Sequence, residues 1–201
     1  MKTVPLKNIY KYQLLIALLF IALLSACSGE YTPKPRGYFR IDFPAKSYHR
    51  VEMAIPYSFK VPDYSIAGPD LLNLDQPNWI TVDIPTNKAQ IHLSYKKIDG
   101  NLADYIEDSR TLAYKHTQKA SSIEEQLFMN REHRVYGTLY LMKGNAASPL
   151  QFYLTDSTRH FLRGALYIRE VPNYDSLRPV IDFLSKDVLE LIESTTWKET
   201  K

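Results

Sequence analysis

Eleven consecutive apolar residues, from Leu14 to Leu24, follow an N-terminus that contains three lysines and no acidic residue. A helix needs about 20 apolar residues to cross a bilayer, so this run is too short for a membrane span and is typical of a secretory signal peptide. We therefore expect residues 1–26 to be removed. The residues that remain, 27–201, are enough for one domain with a single hydrophobic core.

The apolar run leads into Leu24-Ser25-Ala26-Cys27, which resembles the lipobox of bacterial lipoproteins. We expect Cys27 to be acylated, with palmitate among its acyl chains, and to attach the chain to membrane lipid. The alternative is a buried free cysteine that follows the apolar run by chance. Because Cys27 is the only cysteine, the chain has no internal disulfide and no cysteine-rich metal site. Ser28 stands where many lipoproteins of the inner membrane carry an aspartate, so we expect an outer-membrane anchor that faces the periplasm.

The positive charge of the chain belongs to the signal peptide. The whole sequence has 25 basic and 22 acidic residues, and the basic residues that leave with the signal are Lys2, Lys7 and Lys11. The mature chain is therefore neutral and has no block of like charges. This balance argues against nucleic acid as a partner.

Residues 27–37 contain two prolines and no apolar periodicity, which predicts an extended, lipid-anchored tether. Basic and aromatic residues lie in and beside this tether. They could dock on lipid headgroups or peptidoglycan, or they could be those of an ordinary solvated linker. They are Tyr31, Lys34, Arg36, Tyr38 and Arg40.

Residues 38–201 contain nine segments in which apolar residues recur at every second position, a pattern that predicts strands. The segments are Tyr38–Phe43, His49–Met53, Tyr57–Val61, Trp79–Ile84, Gln90–Lys96, Ile123–Met129, Arg134–Lys143, Leu150–Asp156 and Arg159–Arg169. Most of the prolines lie before the fifth of these segments, so we expect no long helix in the first part of the domain.

Helical spacing of apolar residues predicts two helices. The first begins after Asn101, its N-cap, and runs to about Lys119. The second follows Pro172 and is capped by Asp175 or Ser176. The order of strands, helix, four strands and helix predicts a single α+β domain with a largely antiparallel sheet.

Asp156, Ser157 and His160 place the three residue types of a catalytic triad within five positions. Triad members are usually brought together from distant parts of a fold, whereas polar residues in a hairpin turn usually cap their own backbone. We therefore expect no catalytic residue. The histidines show no metal-ligand spacing, although single zinc ligands could be gathered from three strands; we expect neither a metal nor a cofactor. They are His49, His92, His116, His133 and His160.

The two strands on either side of this turn have one aliphatic face and one face that is rich in aromatic residues and arginine. Large aromatic side chains and arginine are favoured at protein interfaces. We predict that this second face and the polar turn bind a partner. The candidate residues are Tyr153, Asp156, Ser157, Arg159, His160, Phe161, Arg163 and Tyr167, with Tyr136 and Tyr140 extending the face. The alternative is that one of the two helices covers this face and that Arg163 pairs with an acid.

Three stretches together resemble the GldD family of gliding motility lipoproteins. They are Tyr-Thr-Pro-Lys-Pro-Arg-Gly-Tyr-Phe-Arg-Ile-Asp-Phe-Pro at 31–44, Phe-Tyr-Leu-Thr-Asp-Ser-Thr-Arg-His-Phe-Leu-Arg-Gly-Ala-Leu-Tyr at 152–167, and the last helix with Asp187 and the following Trp197. The resemblance implies a cell-envelope lipoprotein needed for gliding and for the associated type IX secretion system. It carries over only the lipid attachment at Cys27 and implies no catalytic residues.

The sequence therefore predicts a non-enzymatic assembly or accessory factor that contacts other envelope proteins of the gliding and secretion machinery. Two other functions stay open. An envelope hydrolase or a module that binds glycan or peptide would use the turn, the histidines and the aromatic residues. A purely structural spacer would need none of them.

Overall fold

A computed structural model describes residues 6–24 and 40–198. The first range is helix α1 (Leu6–Leu24), which contains the apolar run Leu14–Leu24. Within the described residues, no helix combines the length and apolarity that a membrane crossing requires. Cys27 and the tether 27–37 lie outside the described residues, so the expectations made for them stay predictions.

Residues 40–198 contain eleven strands and two further helices. The strands are β1 (Tyr48–Arg50), β2 (Tyr57–Ser58), β3 (Lys60–Pro62), β4 (Ile66–Pro69), β5 (Ile80–Ile84), β6 (Ala89–Lys97), β7 (Ala120–Asn130), β8 (Val135–Gly144), β9 (Leu150–Thr155), β10 (His160–Ile168) and β11 (Thr196–Trp197). The helices are α2 (Leu102–Tyr114) and α3 (Tyr174–Glu193), and single 3-10 turns occupy Pro85–Asn87 and Lys115–Gln118.

Seven strands form one sheet in the order β4-β5-β6-β10-β9-β8-β7, and every neighbouring pair is antiparallel. The tight turn between β9 and β10 pairs Phe161 with Thr155 and places β10 at the centre of the sheet. Two small antiparallel pairs, β1 with β3 and β2 with β11, form separate two-stranded sheets. The α+β class with a largely antiparallel sheet is confirmed.

Helix α3 packs on one face of the sheet, where the main hydrophobic core lies. Apolar residues at helical spacing place Leu184, Val188 and Leu191 in that core, where they are almost completely buried. They meet inward-facing residues of the central strands, such as Leu162 and Leu166 of β10. Alternation in β10 therefore assigns its even-numbered residues to the α3 face.

A buried carboxylate on α3 binds side chains from the first part of the region 40–198. Asp187 has no exposed surface, and its carboxylate accepts hydrogen bonds from Lys46 Nζ at 2.7 Å, from the Tyr48 hydroxyl at 3.0 Å and from the Tyr64 hydroxyl at 2.6 Å. Lys46 also lies 3.2 Å from the ring centroid of Phe183. Burial lowers the pKa of Lys46 and raises the pKa values of Tyr48 and Tyr64.

Helix α2 packs on the opposite face of the sheet and buries much less. Only Ser109 and Ala113 of its 13 residues are buried, and Ala113 packs against Tyr140 and Met142 of β8. Leu112 is one of the apolar residues whose helical spacing predicted α2, but its side chain is 38% exposed. The face that carries the odd-numbered residues of β10 is therefore only partly covered.

Element boundaries differ from the sequence predictions where tertiary contacts decide them. Helix α2 ends at Tyr114, and the chain continues as a 3-10 turn. Asn101 does not cap α2 with its side chain, because its amide oxygen accepts a hydrogen bond from the Asp99 backbone. Asn173, not Asp175 or Ser176, caps α3 by accepting from the Ser176 N–H.

The strand predictions also need correction in two respects. The described part of the expected strand Tyr38–Phe43 has no regular secondary structure. The short strands β4 and β11 were not predicted, since neither is long enough to show an alternating pattern.

Candidate functional site

The turn between β9 and β10 is organised by one buried carboxylate. Asp156 Oδ1 accepts backbone N–H groups from Thr158, Arg159 and His160 at 3.0, 2.7 and 2.8 Å, and Oδ2 accepts the Thr158 hydroxyl at 2.9 Å. Burial of the carboxyl opposes ionisation, but these four donors outweigh it and lower the pKa of Asp156 to about 2. The turn is therefore held in one conformation by its own first residue.

Ser157 and His160 are not joined to Asp156 as in a catalytic relay. Ser157 is exposed, has a φ of 67° and donates its N–H to Thr155 Oγ1. The Asp156 carboxylate contacts the backbone of His160 and makes no hydrogen bond to its ring among the described residues. These hydrogen bonds are those of a turn that caps its own backbone.

His160 lies on the α3 face of the sheet. Its ring stacks on Trp197 of β11 with centroids 5.1 Å apart, and its Nδ1 lies 2.8 Å from the Tyr95 hydroxyl. Burial lowers the pKa of His160. The Trp197 Nε1 donates to the carbonyl of Arg134 in the β7–β8 turn, so the imidazole and the indole together fix the positions of two neighbouring turns.

Basic side chains predominate on the outside of these two turns, where Glu132 is the exposed acid of the β7–β8 turn. Arg159, Arg134 and His133 are exposed and, with Lys198 and Trp197, border a cavity of about 170 Å³. Within residues 40–198, neither arginine has an ion-pair partner. We call Ser157, Arg159, Arg134, His133 and Lys198 the turn surface.

The aromatic and arginine residues of β9 and β10 lie on the other face, towards α2. The Phe161 ring is 2% exposed and lies 5.3 Å from the Tyr105 ring of α2. Tyr153 stacks on Phe161 with centroids 5.6 Å apart. Arg163 donates to Gln151 Oε1 at 2.5 Å, and burial lowers its pKa. Helix α2 therefore covers part of this face, and Arg163 pairs there with an amide.

A groove follows the edge of α2. Its cavity of about 350 Å³ is bordered on the helix side by Tyr105 and Leu112 and on the sheet side by Phe161, Arg163 and Lys96. The ammonium group of Lys96 lies 4.5 Å from the centroid of the Tyr105 ring. Trp79, Asp108 and Lys115 also border it. We call this cavity the α2 groove.

The structure therefore divides the sequence-predicted partner residues into two groups. Asp156, Ser157, Arg159 and His160 belong to the turn, whereas Tyr153, Phe161 and Arg163 lie beside or under α2. Tyr167 also lies on the α2 face, where it contacts the ring of His92 edge-on. The partner-binding prediction remains a prediction for both groups.

Sequence reasoning missed two residues that reach the turn and one exposed group of three leucines elsewhere on the surface. Arg134 and Trp197 reach the turn from distant positions, which no local pattern indicates. Leu71, Leu72 and Leu74 did give a signal, because three leucines stand in a segment rich in turn-forming residues. Among the described residues, no group of histidines and carboxylates has the arrangement of a metal site.

Comparisons with known proteins give one family. The family model of the gliding motility lipoprotein GldD matches residues 28–197. Among solved structures, the chain is similar to the solution structure of cyanobacterial PsbP (CyanoP) from Synechocystis sp. PCC 6803, with 12% identity and a TM-score of 0.48. That alignment covers 77% of this chain and 94% of the other. No curated protein matches significantly.

Proposed function

The chain belongs to the GldD family of gliding motility lipoproteins. We propose that it acts in the cell envelope as a non-enzymatic assembly or accessory factor. It serves the gliding machinery and the associated type IX secretion apparatus. In this proposal, acylated Cys27 holds it in the outer membrane, facing the periplasm, and its work consists of contacts with other envelope proteins. The membrane-anchored envelope location follows from the lipoprotein family itself.

The observation that carries this proposal is the turn surface. Asp156 holds the β9–β10 turn in one conformation, and Trp197 ties it to the β7–β8 turn. Arg159 and Arg134 are therefore presented on rigid backbone, which reduces the entropy lost on binding. Because neither arginine has an internal ion-pair partner among the described residues, the surface suits an acidic segment of a partner protein.

The geometry of the turn supports contact more than catalysis. A hydrolase that used this site would need His160 to be within reach of a nucleophile. Instead, Nδ1 of His160 is hydrogen-bonded to the Tyr95 hydroxyl, and the ring stacks on Trp197. The Ser157 N–H donates to Thr155 within the turn. Arginine is enriched in protein interfaces relative to the rest of the surface.

The experiment that tests the proposal reverses the charge of the turn surface. The variant Arg134→Glu/Arg159→Glu is expressed in gliding cells in place of the parent chain. We expect loss of surface gliding and of type IX secretion at normal lipoprotein abundance, because the acidic partner segment is repelled. The control is Arg178→Glu, an exposed arginine on α3 that lies 3.7 Å from Asp182. Normal gliding by the double variant would overturn the proposal.

The location in the membrane is tested through the anchor. Cys27→Ser should move the chain from the membrane fraction into the soluble fraction and stop gliding, because the acyl chains supply stable attachment. Separation of inner and outer membranes, with protease added to intact cells, then assigns the membrane and the leaflet. Recovery of the parent chain from the inner membrane would contradict the outer-membrane assignment.

A further inference from the structure

Four aliphatic side chains protrude from one short stretch at the edge of the sheet. Ile66, Leu71, Leu72 and Leu74 are 67%, 77%, 87% and 75% exposed. A single exposed leucine is ordinary on a protein surface, but a cluster of this kind marks an interaction site. We call residues 66–74 the leucine loop.

The leucine loop has an ordered backbone. The buried Asp70 carboxylate accepts the Leu72 N–H at 3.0 Å and the Asn73 side-chain amide at 2.8 Å. The Asn73 N–H donates to the Asp70 carbonyl, and two further turns lead the chain through Gln76 to Trp79. The leucines are thus held outward by a polar side chain that is itself buried, and their exposure is built into the loop.

The α2 groove has the complementary chemistry. Trp79, Tyr105 and Leu112 supply apolar surface. The positive charges of Lys96, Lys115 and Arg163 outnumber the single negative charge of Asp108 on the same groove. Leu112 stays partly exposed although it belongs to the apolar stripe of α2. An apolar ligand with acidic neighbours would cover Leu112 and face the three cations.

The leucine loop matches this requirement in charge. No basic residue occurs between Lys60 and Lys88, whereas acidic residues occur on both sides of the leucines. Asp75, directly after Leu74, is exposed. The exposed carboxylate of Asp75 would be repelled by the anionic headgroups of a bilayer, so the charge beside the leucines favours a protein groove with basic residues over a lipid surface.

The loop and the groove lie along the same face of β6. Leu71 and Leu72 border a cavity with His92, and the next residue on that face, Ser94, borders the α2 groove. Trp79, which ends the turns that follow the loop, also lines the groove. One face of the chain therefore carries both the loop and the groove, as a two-fold symmetric contact between two copies requires.

We propose that this chain self-associates in the membrane, with the leucine loop of one copy seated in the α2 groove of a second copy. The contact is symmetric, because each copy contributes one loop and one groove. Attachment to the same membrane raises the effective concentration of the two copies, so a small interface is sufficient.

The test is crosslinking between two differently tagged full-length chains in native membranes. One chain carries Leu72→Cys, the other carries Leu112→Cys, and a short bis-maleimide is added. We expect a product of twice the monomer mass that carries both tags. In the matched control, Leu127→Cys replaces Leu72→Cys; Leu127 is 89% exposed on β7, outside the loop. The parent chain controls for reaction at Cys27.

Charge reversal supplies the second arm. Lys96→Glu/Lys115→Glu in both chains should reduce the product that carries both tags to the level of the Leu127→Cys control, because two cations of the groove become acidic. A yield with Leu72→Cys no higher than that control would overturn the proposal. So would protection of Leu72→Cys from a soluble maleimide without crosslinking to the second copy, because a bilayer or another protein would then cover the loop.

This test is separate from the one for the turn surface. Every crosslinking variant keeps Arg134 and Arg159, and the arginine variants keep the leucine loop. Failure of one proposal therefore leaves the other unchanged.

Discussion

The two faces of the large sheet are covered to different extents. On one face, the 20-residue helix α3 buries Leu184, Val188 and Leu191 and holds the fully buried Asp187. On the other, the 13-residue helix α2 buries only Ser109 and Ala113. The first face supplies most of the buried apolar surface that stabilises the fold, and the second leaves a groove open.

This difference indicates where the protein can bind a partner without a loss in the stability of the fold. Side chains in a continuous core are fixed by their neighbours, so substitutions there are felt throughout the fold. Around the α2 groove, Leu112 and Lys96 keep part of their side chains exposed to solvent, where a partner can contact them. Substitutions should therefore separate into those that unfold the chain and those that change its contacts.

The largest effect expected from a change of charge is that of the buried ion pair on the α3 face. Lys46→Met removes the cation but keeps the apolar stem beside Phe183, which leaves Asp187 buried without its ion-pair partner. We expect a loss of about 3 kcal/mol in the free energy of unfolding, the lower end for broken buried pairs, because Tyr48 and Tyr64 still donate to Asp187. Denaturant unfolding of the detergent-solubilised chain, followed by tryptophan fluorescence, measures it.

The control for this prediction is an ion pair on the surface. Lys88→Met removes the partner of Glu170, and both side chains of that pair are well exposed. It should change the free energy of unfolding by less than about 1 kcal/mol. Equal losses for Lys46→Met and Lys88→Met would mean that the Asp187 network does not fasten the α3 face.

A smaller effect is expected at the β9–β10 turn. Asp156→Asn keeps the size of the side chain but removes the charge that four donors stabilise, so the free energy of unfolding at neutral pH should fall by about 2 kcal/mol. The pKa of Asp156 is lower in the folded than in the unfolded state. The stabilisation is therefore complete above about pH 4, and it is lost as pH falls towards about 2.

Unfolding measured at pH 7 and again near pH 3 checks this pH dependence. The difference between the parent chain and Asp156→Asn should shrink at the lower pH, because the carboxyl becomes protonated in the unfolded chain. A difference that stays the same at both values would show that the charge of Asp156 does not hold the turn.

How far the sequence predicts these features depends on how local they are. Asp156, Ser157 and Thr158 indicate the β9–β10 turn by themselves, because the hydrogen bonds of the turn lie within four residues. The alternating residues of β10 likewise predict its two faces. The sequence therefore predicted the α+β class, the antiparallel sheet and the position of this turn.

Contacts between distant residues could not be predicted in the same way. Lys46 and Asp187 are 141 positions apart, and nothing near either residue indicates the other. The stacking of Trp197 on His160 and the contact of Tyr105 with Phe161 also depend on how elements dock. For this reason the sequence grouped the aromatic and arginine face with the polar turn as one candidate binding region, whereas the structure places the two on different parts of the surface.

The last prediction compares the same substitution on the two helices. The smallest effect is expected on α2. Leu112→Ala on α2 should lower the free energy of unfolding by less than about 1 kcal/mol, because the side chain is 38% exposed at the groove. Leu184→Ala on α3 removes a side chain with no exposed surface and should cost about 2 to 5 kcal/mol. Denaturant unfolding at low protein concentration separates this intrinsic difference from any effect of self-association. If Leu112→Ala proved as costly as Leu184→Ala, α2 would be as tightly packed as α3, and the groove would not be free to accept a second copy.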